Sequence, residues 1–204
     1  MTRKLKVLGL ALVAMFAMSA VAASAQAAQF QAAEYPASIT AHSAESDNFF
    51  VTDVGIVECS THHFEGSANE ATTTLTVVPI YKNCEAFGLE AEVDTNSCHY
   101  LFHLHEGSGP VYTMTVDIDC TETGDAIKVI TPACVITVPE QNGLTHVLAE
   151  NAGGDVAIEA EVGGIEYEKE GAICSGVGTE GEYFGSALVE GFNEFAEPNN
   201  VFIE

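Results

Sequence analysis

The chain has 204 residues, 30 of them acidic against 6 basic, for a formal net charge of −24, with six cysteines and no tryptophan. Such a charge repels phosphate backbones and anionic membrane surfaces, which excludes nucleic-acid binding. Disorder, the ordinary fate of a strongly acidic chain, is excluded by runs rich in Val, Ile, Phe and Tyr that alternate with polar residues.

The first residues read as an export address. Arg3, Lys4 and Lys6 precede an apolar run from Val7 to Val21, and Ala23-Ser24-Ala25 supplies the small residues of a cleavage site. The predicted cut follows Ala25, with Ala27 and Ala28 as alternatives. The run is too short for a comfortable bilayer span, and no later stretch reads as one, so no membrane span is expected in the mature chain. Residues 1–25 are therefore expected to be a signal peptide, residues 26–34 a flexible leader, and residues 35–204 a single, exported all-β domain. Cleavage leaves Lys82, Lys128 and Lys169 against the same 30 acidic residues, a net charge of −27.

From Tyr35 onward, short alternating segments are punctuated by Gly, Asn, Asp and Pro, with no helical period. The predicted strands are Ser38–His42, Phe49–Thr52, Gly55–Cys59, Thr73–Tyr81, Leu89–Val93, Cys98–His105, Val111–Asp119, Ala126–Thr131, Cys134–Val138, Thr145–Ala149, Val156–Val162, Ile165–Lys169 and Tyr183–Val189. Their spacing predicts an antiparallel β-sandwich or barrel. Alternation predicts a hairpin of Cys98–His105 with Val111–Asp119 around Glu106–Pro110. It fixes the parity of pairing but not the register. One allowed register sets Cys98 opposite Cys120 and His99 opposite Asp119. A turn at Asp94–Ser97 would place Glu92 opposite His99, giving a polar row Glu92–His99–Asp119. A third hairpin is predicted at Gly163-Gly164, with Val156, Ile158, Ala160, Val162, Ile165 and Tyr167 on one face and Glu159, Glu161, Glu166 and Glu168 on the other.

Cys84 to Cys98 and Cys120 to Cys134 both read C-x3-G-x2-φ-x-V-x4-C, where φ is apolar; Gly88, Ala91 and Val93 match Gly124, Ile127 and Val129. The repeat predicts an internal duplication. Six cysteines in an exported chain predict three disulfides rather than reactive thiols. If each copied unit closes its own bridge, the pairs are Cys84–Cys98, Cys120–Cys134 and Cys59–Cys174. The rival is Cys98–Cys120 with Cys84–Cys134. The spacings are too long for the short CxxC-type pairs of zinc sites.

Two groups of side chains are candidate sites. His103-Leu-His105 places two imidazoles on one side of a strand, a donor set for zinc or copper that His99, His62-His63, Glu92 or Asp119 could complete. The four glutamates of the Gly163-Gly164 hairpin are the candidate for a hard cation such as calcium, since like charges facing one another across a sheet call for compensation. Against both stands an ordinary solvated face. No nucleophile elbow, selected carboxylate pair or free thiol is legible, so no catalytic residue is assigned.

The segment Phe102-His-Leu-His-Glu-Gly-Ser is similar to the copper-binding strand of copper/zinc superoxide dismutases, but the mature chain lacks the active-site arginine of those enzymes. The ordering of Phe49-Phe-Val, Val57-Glu-Cys59, Pro79-Ile-Tyr-Lys-Asn-Cys84, Gly88, Asn96-Ser-Cys98-His-Tyr100, Asp117-Ile-Asp-Cys120 and Tyr183-Phe-Gly-Ser resembles that of uncharacterised, exported bacterial six-cysteine β-proteins. The resemblance implies an all-β fold and no particular activity. The expected function is an exported, non-catalytic binding or structural domain with an acidic surface, its partner cationic or part of the cell envelope. A zinc or copper metalloprotein and a calcium-binding module are the alternatives.

Overall fold

The computed structural model describes residues 27–43, 48–105 and 109–204. The stretch read as a signal peptide lies outside these residues, as does the tip of the predicted turn at Glu106–Pro110. After a short strand β1 (Phe30–Ala32) come eight long staves. The first is β2 (Ala37–His42) continued in line by β3 (Phe49–Thr52), the second β4 (Gly55–Ala68), and the third β5 (Thr74–Ala86). The fourth is β6 (Leu89–Asp94) continued by β7 (Cys98–Leu104), the fifth β8 (Val111–Cys120) continued by β9 (Ile127–Ile130), and the sixth β10 (Cys134–Val138) continued by β11 (Gln141–Ala152). β12 (Asp155–Gly171) and β13 (Ser175–Phe192) are the seventh and eighth; β14 (Pro198–Asn199) and β15 (Val201–Ile203) follow. Each stave is antiparallel to its neighbours in sequence, and β13 returns to pair with β2 and β3. The result is a closed, eight-stranded, up-and-down antiparallel barrel, which leaves no free sheet edge. Of the expected sandwich or barrel, the barrel is the observed form.

Four staves are broken where the sequence reads as turns. The Asp94–Ser97 segment is such a break: β6 and β7 do not pair, but lie end to end against β5, at Cys84–Ala86 and Thr74–Val77. Glu92 therefore faces Ile130 of β9 rather than His99, and the expected three-strand polar row does not form. The β7–β8 hairpin takes the register that sets Cys98 opposite Cys120 and His99 opposite Asp119.

Gly163-Gly164 is not a hairpin turn. β12 runs straight through it, and the register to β13 shifts between Val162 and Ile165. Gly164 has φ of 74°, a conformation that suits glycine. Val162 and Ile165 are both buried, because two residues of bulge restore the inward parity as a two-residue turn would have done.

The two cysteine-bounded stretches occupy different places in the meander. In the first, Gly88 turns the chain back from β5 into the next stave. In the second, Gly124 lies in the link between β8 and β9, which continue one stave. The bridges follow the barrel instead of the repeat: Cys59–Cys84 ties β4 to β5, Cys98–Cys120 ties β7 to β8, and Cys134–Cys174 ties the start of β10 to the β12–β13 turn. Neither expected set of pairs is formed as a whole, although the rival's Cys98–Cys120 is present. The first two bridges join residues directly opposite on adjacent strands, which closure of Cys84 onto Cys98 could not achieve because Cys84 stands opposite Ala91 of β6 while Cys98 lies further along the same stave, in β7. Three disulfides fit an oxidising, extracytoplasmic environment.

Most inward positions are apolar, for example Leu75 and Val77 on β5 and Met114, Val116 and Ile118 on β8, while the outward column of β12 is Glu159, Glu161, Glu166, Glu168 and Glu170. This is the inverse of a membrane-spanning barrel, whose outer band is apolar and whose lumen is polar. Among the described residues no helix is long and apolar enough to cross a membrane.

One end of the barrel is capped by the two termini. β1 pairs with β15, Phe30 opposite Ile203 and Ala32 opposite Val201, and all four side chains are buried. The ribbon is anchored to the barrel rim by Asn151, whose side chain receives the Ile203 N–H at 2.8 Å and donates to the Ile203 carbonyl at 2.9 Å, and by the Tyr112 hydroxyl, which donates to the same carbonyl at 3.1 Å. Part of the stretch read as a flexible leader is thus a structural strand. Its alternating Phe30 and Ala32 were too few to register as a strand without the partner supplied by the far end of the chain.

Candidate functional site

The histidines lie on the outer wall. His99 meets Asp119 at 3.3 Å and His103 meets Asp117 at 2.7 Å, each directly or diagonally across β7 and β8, while His105 contacts the Thr115 hydroxyl at 3.1 Å. They form separate pairs rather than one constellation. His62 and His63 are neighbours in sequence and so point to opposite faces, His62 inward and His63 outward, the latter 3.4 Å from Glu65. Among the described residues no group of three or more His, Cys, Asp or Glu is placed to hold a metal ion.

Glu159, Glu161, Glu166 and Glu168 are exposed in a single column on β12. Their β13 neighbours include Ser186 for Glu159, Phe184 for Glu161 and Val177 for Glu168, so the predicted facing of carboxylates across a hairpin is absent. Carboxylates do face one another elsewhere: Glu58, Glu85 and Glu90 form an exposed row across β4, β5 and β6. Pairing register alone reveals that row.

The feature that sequence reading missed is inside. The barrel interior holds a cavity of about 160 Å³ with almost wholly apolar walls. Its origin is local: Ala160 of β12 lies opposite Gly185 of β13, Ala187 lies opposite Ile158, and Ala41 of β2 lies opposite Val189. Small inward side chains on three adjacent staves cannot fill a barrel of this girth. All of these residues line the void.

A polar strip crosses this apolar interior. The Tyr81 and Tyr100 hydroxyls are 2.9 Å apart, and the Tyr183 hydroxyl donates to Asn48 Oδ1 at 3.0 Å. Asn48 Nδ2 donates in turn to Ser43 Oγ at 2.6 Å. Asn48 enters the barrel where the first stave is broken, and Gly185 makes the room: a Cβ there would stand 2.0 Å from Asn48 Oδ1 and 2.8 Å from the Tyr183 hydroxyl. Burial pushes Tyr81 well above the ordinary tyrosine range, with the nearby Tyr100 and Tyr183 adding to the effect, and burial also raises Tyr100 and Tyr183. All three are neutral phenols at physiological pH. All three line the cavity.

His62 completes the wall. It is 5% exposed, and its Nδ1 lies 3.2 Å from the Cys59 carbonyl. Burial pulls its pKa below the usual value of 6.5, only partly opposed by that backbone contact, so the ring is neutral.

The end of the barrel opposite the terminal ribbon is closed by a charged latch. Lys169 projects inward from β12, with its side chain 5% exposed, and Asp53 folds over from the β3–β4 turn with its side chain 60% exposed. Lys169 Nζ donates to Asp53 Oδ1 at 2.7 Å, and the Tyr167 hydroxyl donates to the same oxygen at 2.8 Å. Lys169, then Tyr167, hold the Asp53 carboxyl below the ordinary aspartate pKa. Because the folded-state pKa is lowered, the latch's contribution is present above pH ~4, the unfolded value, and is lost as pH falls through the lower folded value. Two results are expected in thermal melts. Asp53→Asn destabilises the barrel more than Lys169→Met, since the first strands a buried ammonium and the second frees a carboxylate that water already reaches. Asp53→Asn also shows less loss of stability than wild type between pH 4 and pH 2. Equal melting temperatures for the two variants would remove the latch as an ionic device.

Comparison with protein-family models, curated proteins and solved structures finds no match to the chain. The fold and cavity themselves are what define it: a disulfide-tied, up-and-down β-barrel with an apolar interior and an acidic exterior.

Proposed function

We propose that the chain is an extracytoplasmic, non-catalytic binding domain that holds a small apolar molecule inside its barrel. The cavity carries this reading. A protein interior packs to crystal-like density with few voids larger than a water molecule, and apolar hollows near 150 Å³ take up guests of the size of benzene. Here about 160 Å³ is left open by a coincidence of small side chains on three neighbouring staves. Around it the acidic exterior keeps copies of the protein apart by mutual repulsion. The zinc, copper and calcium alternatives have no converging donor set among the described residues to support them.

The test is a melting curve with and without toluene. A guest at ten times its Kd adds about 1.4 kcal/mol to stability, which for a domain of this size raises Tm by roughly 3–6 °C. The same addition should leave Ala187→Leu unmoved, because the added side chain occupies the void. Failure of toluene to shift the wild-type transition at any concentration below its solubility limit would return the barrel to a purely structural role.

A further inference from the structure

The interior distinguishes one kind of apolar guest from others. This inference rests on the binding reading above and adds to it the chemistry of the ligand. Most polar groups in the strip satisfy one another: Tyr81 with Tyr100, Tyr183 with Asn48, and Asn48 with Ser43. His62 does not fit this pattern. The Cys59 carbonyl can only accept, so Nδ1 carries the ring proton and Nε2 presents a lone pair. Among the described residues Nε2 is the one buried side-chain nitrogen or oxygen with no hydrogen-bond partner, and His62 belongs to the cavity wall. A buried acceptor left unpaired is a standing cost that a donor recovers.

We propose that the cavity takes a neutral, single-ring-sized apolar molecule bearing one O–H or N–H donor, such as a phenol or a small N–H heteroaromatic, and that His62 Nε2 accepts from that donor. Charge on the guest is excluded by the walls. Among the described residues no Asp, Glu, Lys or Arg lines the cavity; Lys169 is engaged by Asp53, and Lys82 and Lys128 are exposed outside. An anionic guest would bring acceptors to a lone pair and would first have to cross the field of a strongly acidic surface. A cation would be desolvated with no counter-charge to meet it. The tyrosine hydroxyls border the same space as a second polar contact.

Phenol and toluene have nearly the same shape and differ in the donor. Calorimetric titration of the full-length mature protein with phenol, toluene and benzoate is expected to show phenol binding, toluene binding more weakly, and no binding of benzoate at neutral pH. In His62→Phe, which keeps an aromatic ring in the wall, the ratio of phenol to toluene affinity should fall by about tenfold or more, the difference expected of one hydrogen bond to a buried acceptor, while toluene still binds. Should that variant fail to fold, the wild-type protein supplies a second readout: the ¹⁵N resonance of His62 Nε2 moves upfield on saturation with phenol and stays in place with toluene. The outcomes separate the two readings. No binding of either compound overturns the binding function itself. Binding of both with a ratio unchanged in His62→Phe, or with a static Nε2 resonance, overturns the assignment of His62 as acceptor and leaves the binding function standing. Benzoate binding as tightly as phenol overturns the requirement for a neutral donor.

Discussion

Replacing Cys134 and Cys174 together by alanine is expected to cost about 4 kcal/mol, more than removal of either other bridge. The sequence separations are 40 for this pair, 25 for Cys59–Cys84 and 22 for Cys98–Cys120. In the loop-entropy account those separations correspond to about 3.9, 3.5 and 3.4 kcal/mol. The entropic differences are small, and local structure widens them. Cys59–Cys84 reinforces a strand pair that runs on in register to either side, and Cys98–Cys120 closes the end of the continuous β7–β8 ladder. Cys134–Cys174 instead secures a corner where backbones are already in close approach: a Cβ on Gly171 would sit 2.2 Å from the Ala133 carbonyl oxygen and 2.7 Å from Cys134 Cα. Besides the bridge, the weak Ile173 N–H to Ala133 carbonyl contact at 3.3 Å and the end of the β10–β12 ladder join the two segments there. Set against a typical total stability of about 5–15 kcal/mol, the loss should be plain in urea unfolding of the three double-alanine variants. The account fails if the Cys134/Cys174 variant has the highest midpoint of the three. Peptide mapping of the unreduced protein checks the pairing independently.

The strands were legible because burial on one face leaves an alternation that needs no partner to be recognised. Phe49–Thr52 and Cys134–Val138 are predicted to the residue, and Cys98–Leu104 and Val111–Cys120 to within one. What alternation could not show is whether a polar interruption reverses the chain or merely breaks a strand. Gly163-Gly164 preserves the parity of Val162 and Ile165 equally well as a turn or as a bulge, so the inward face was read correctly and the topology was not. The same ambiguity at Asp94–Ser97 sent Glu92 to a false partner. The cysteine spacing was a poor guide because a bridge joins what the sheet sets opposite, and the sheet order depends on those same interruptions.

The candidate site was hidden for a related reason. Ala160, Gly185 and Ala187 look unremarkable in their own strands, and only the pairing of β12 with β13 gathers them into one void. His62 was noticed as half of a histidine pair. Its inward direction follows from a departure in parity: Cys59 and His62 are both buried, with two exposed residues, Ser60 and Thr61, between them. β5 departs in step, Tyr81 facing inward and Cys84 likewise, across Lys82 and Asn83, where Asn83 has φ of 51°. Matched irregularities in paired strands therefore place the ring and the phenol side by side, His62 opposite Tyr81. A single strand read alone would have assigned one of them to solvent.

The second large effect is expected at the terminal ribbon. Ile203 is among the most fully buried side chains of the protein, and it reaches the core from the last few residues of the chain. It lies opposite Phe30, and its own backbone is gripped on both sides by Asn151 and by the Tyr112 hydroxyl. Truncating a buried isoleucine to alanine removes the transfer energy of three carbons and leaves a hollow that rigid surroundings refill poorly, at a cost of about 2–5 kcal/mol. The upper part of that range applies here, because the ribbon is held on a rim of continuous hydrogen-bonded strands that cannot readily move in to refill the space. Ile203→Ala should therefore lower Tm by roughly 5–15 °C. Phe195→Ala, at a side chain 74% exposed in the preceding turn, should change stability by no more than about 0.5 kcal/mol. The comparison also bears on the cavity. If the ribbon is the cap that keeps water from the interior, Ile203→Ala at a temperature below its transition should bind toluene more weakly than wild type, since solvent then competes for the space. A variant that melts with Phe195→Ala and binds toluene as wild type does would show that the barrel is sealed without its termini.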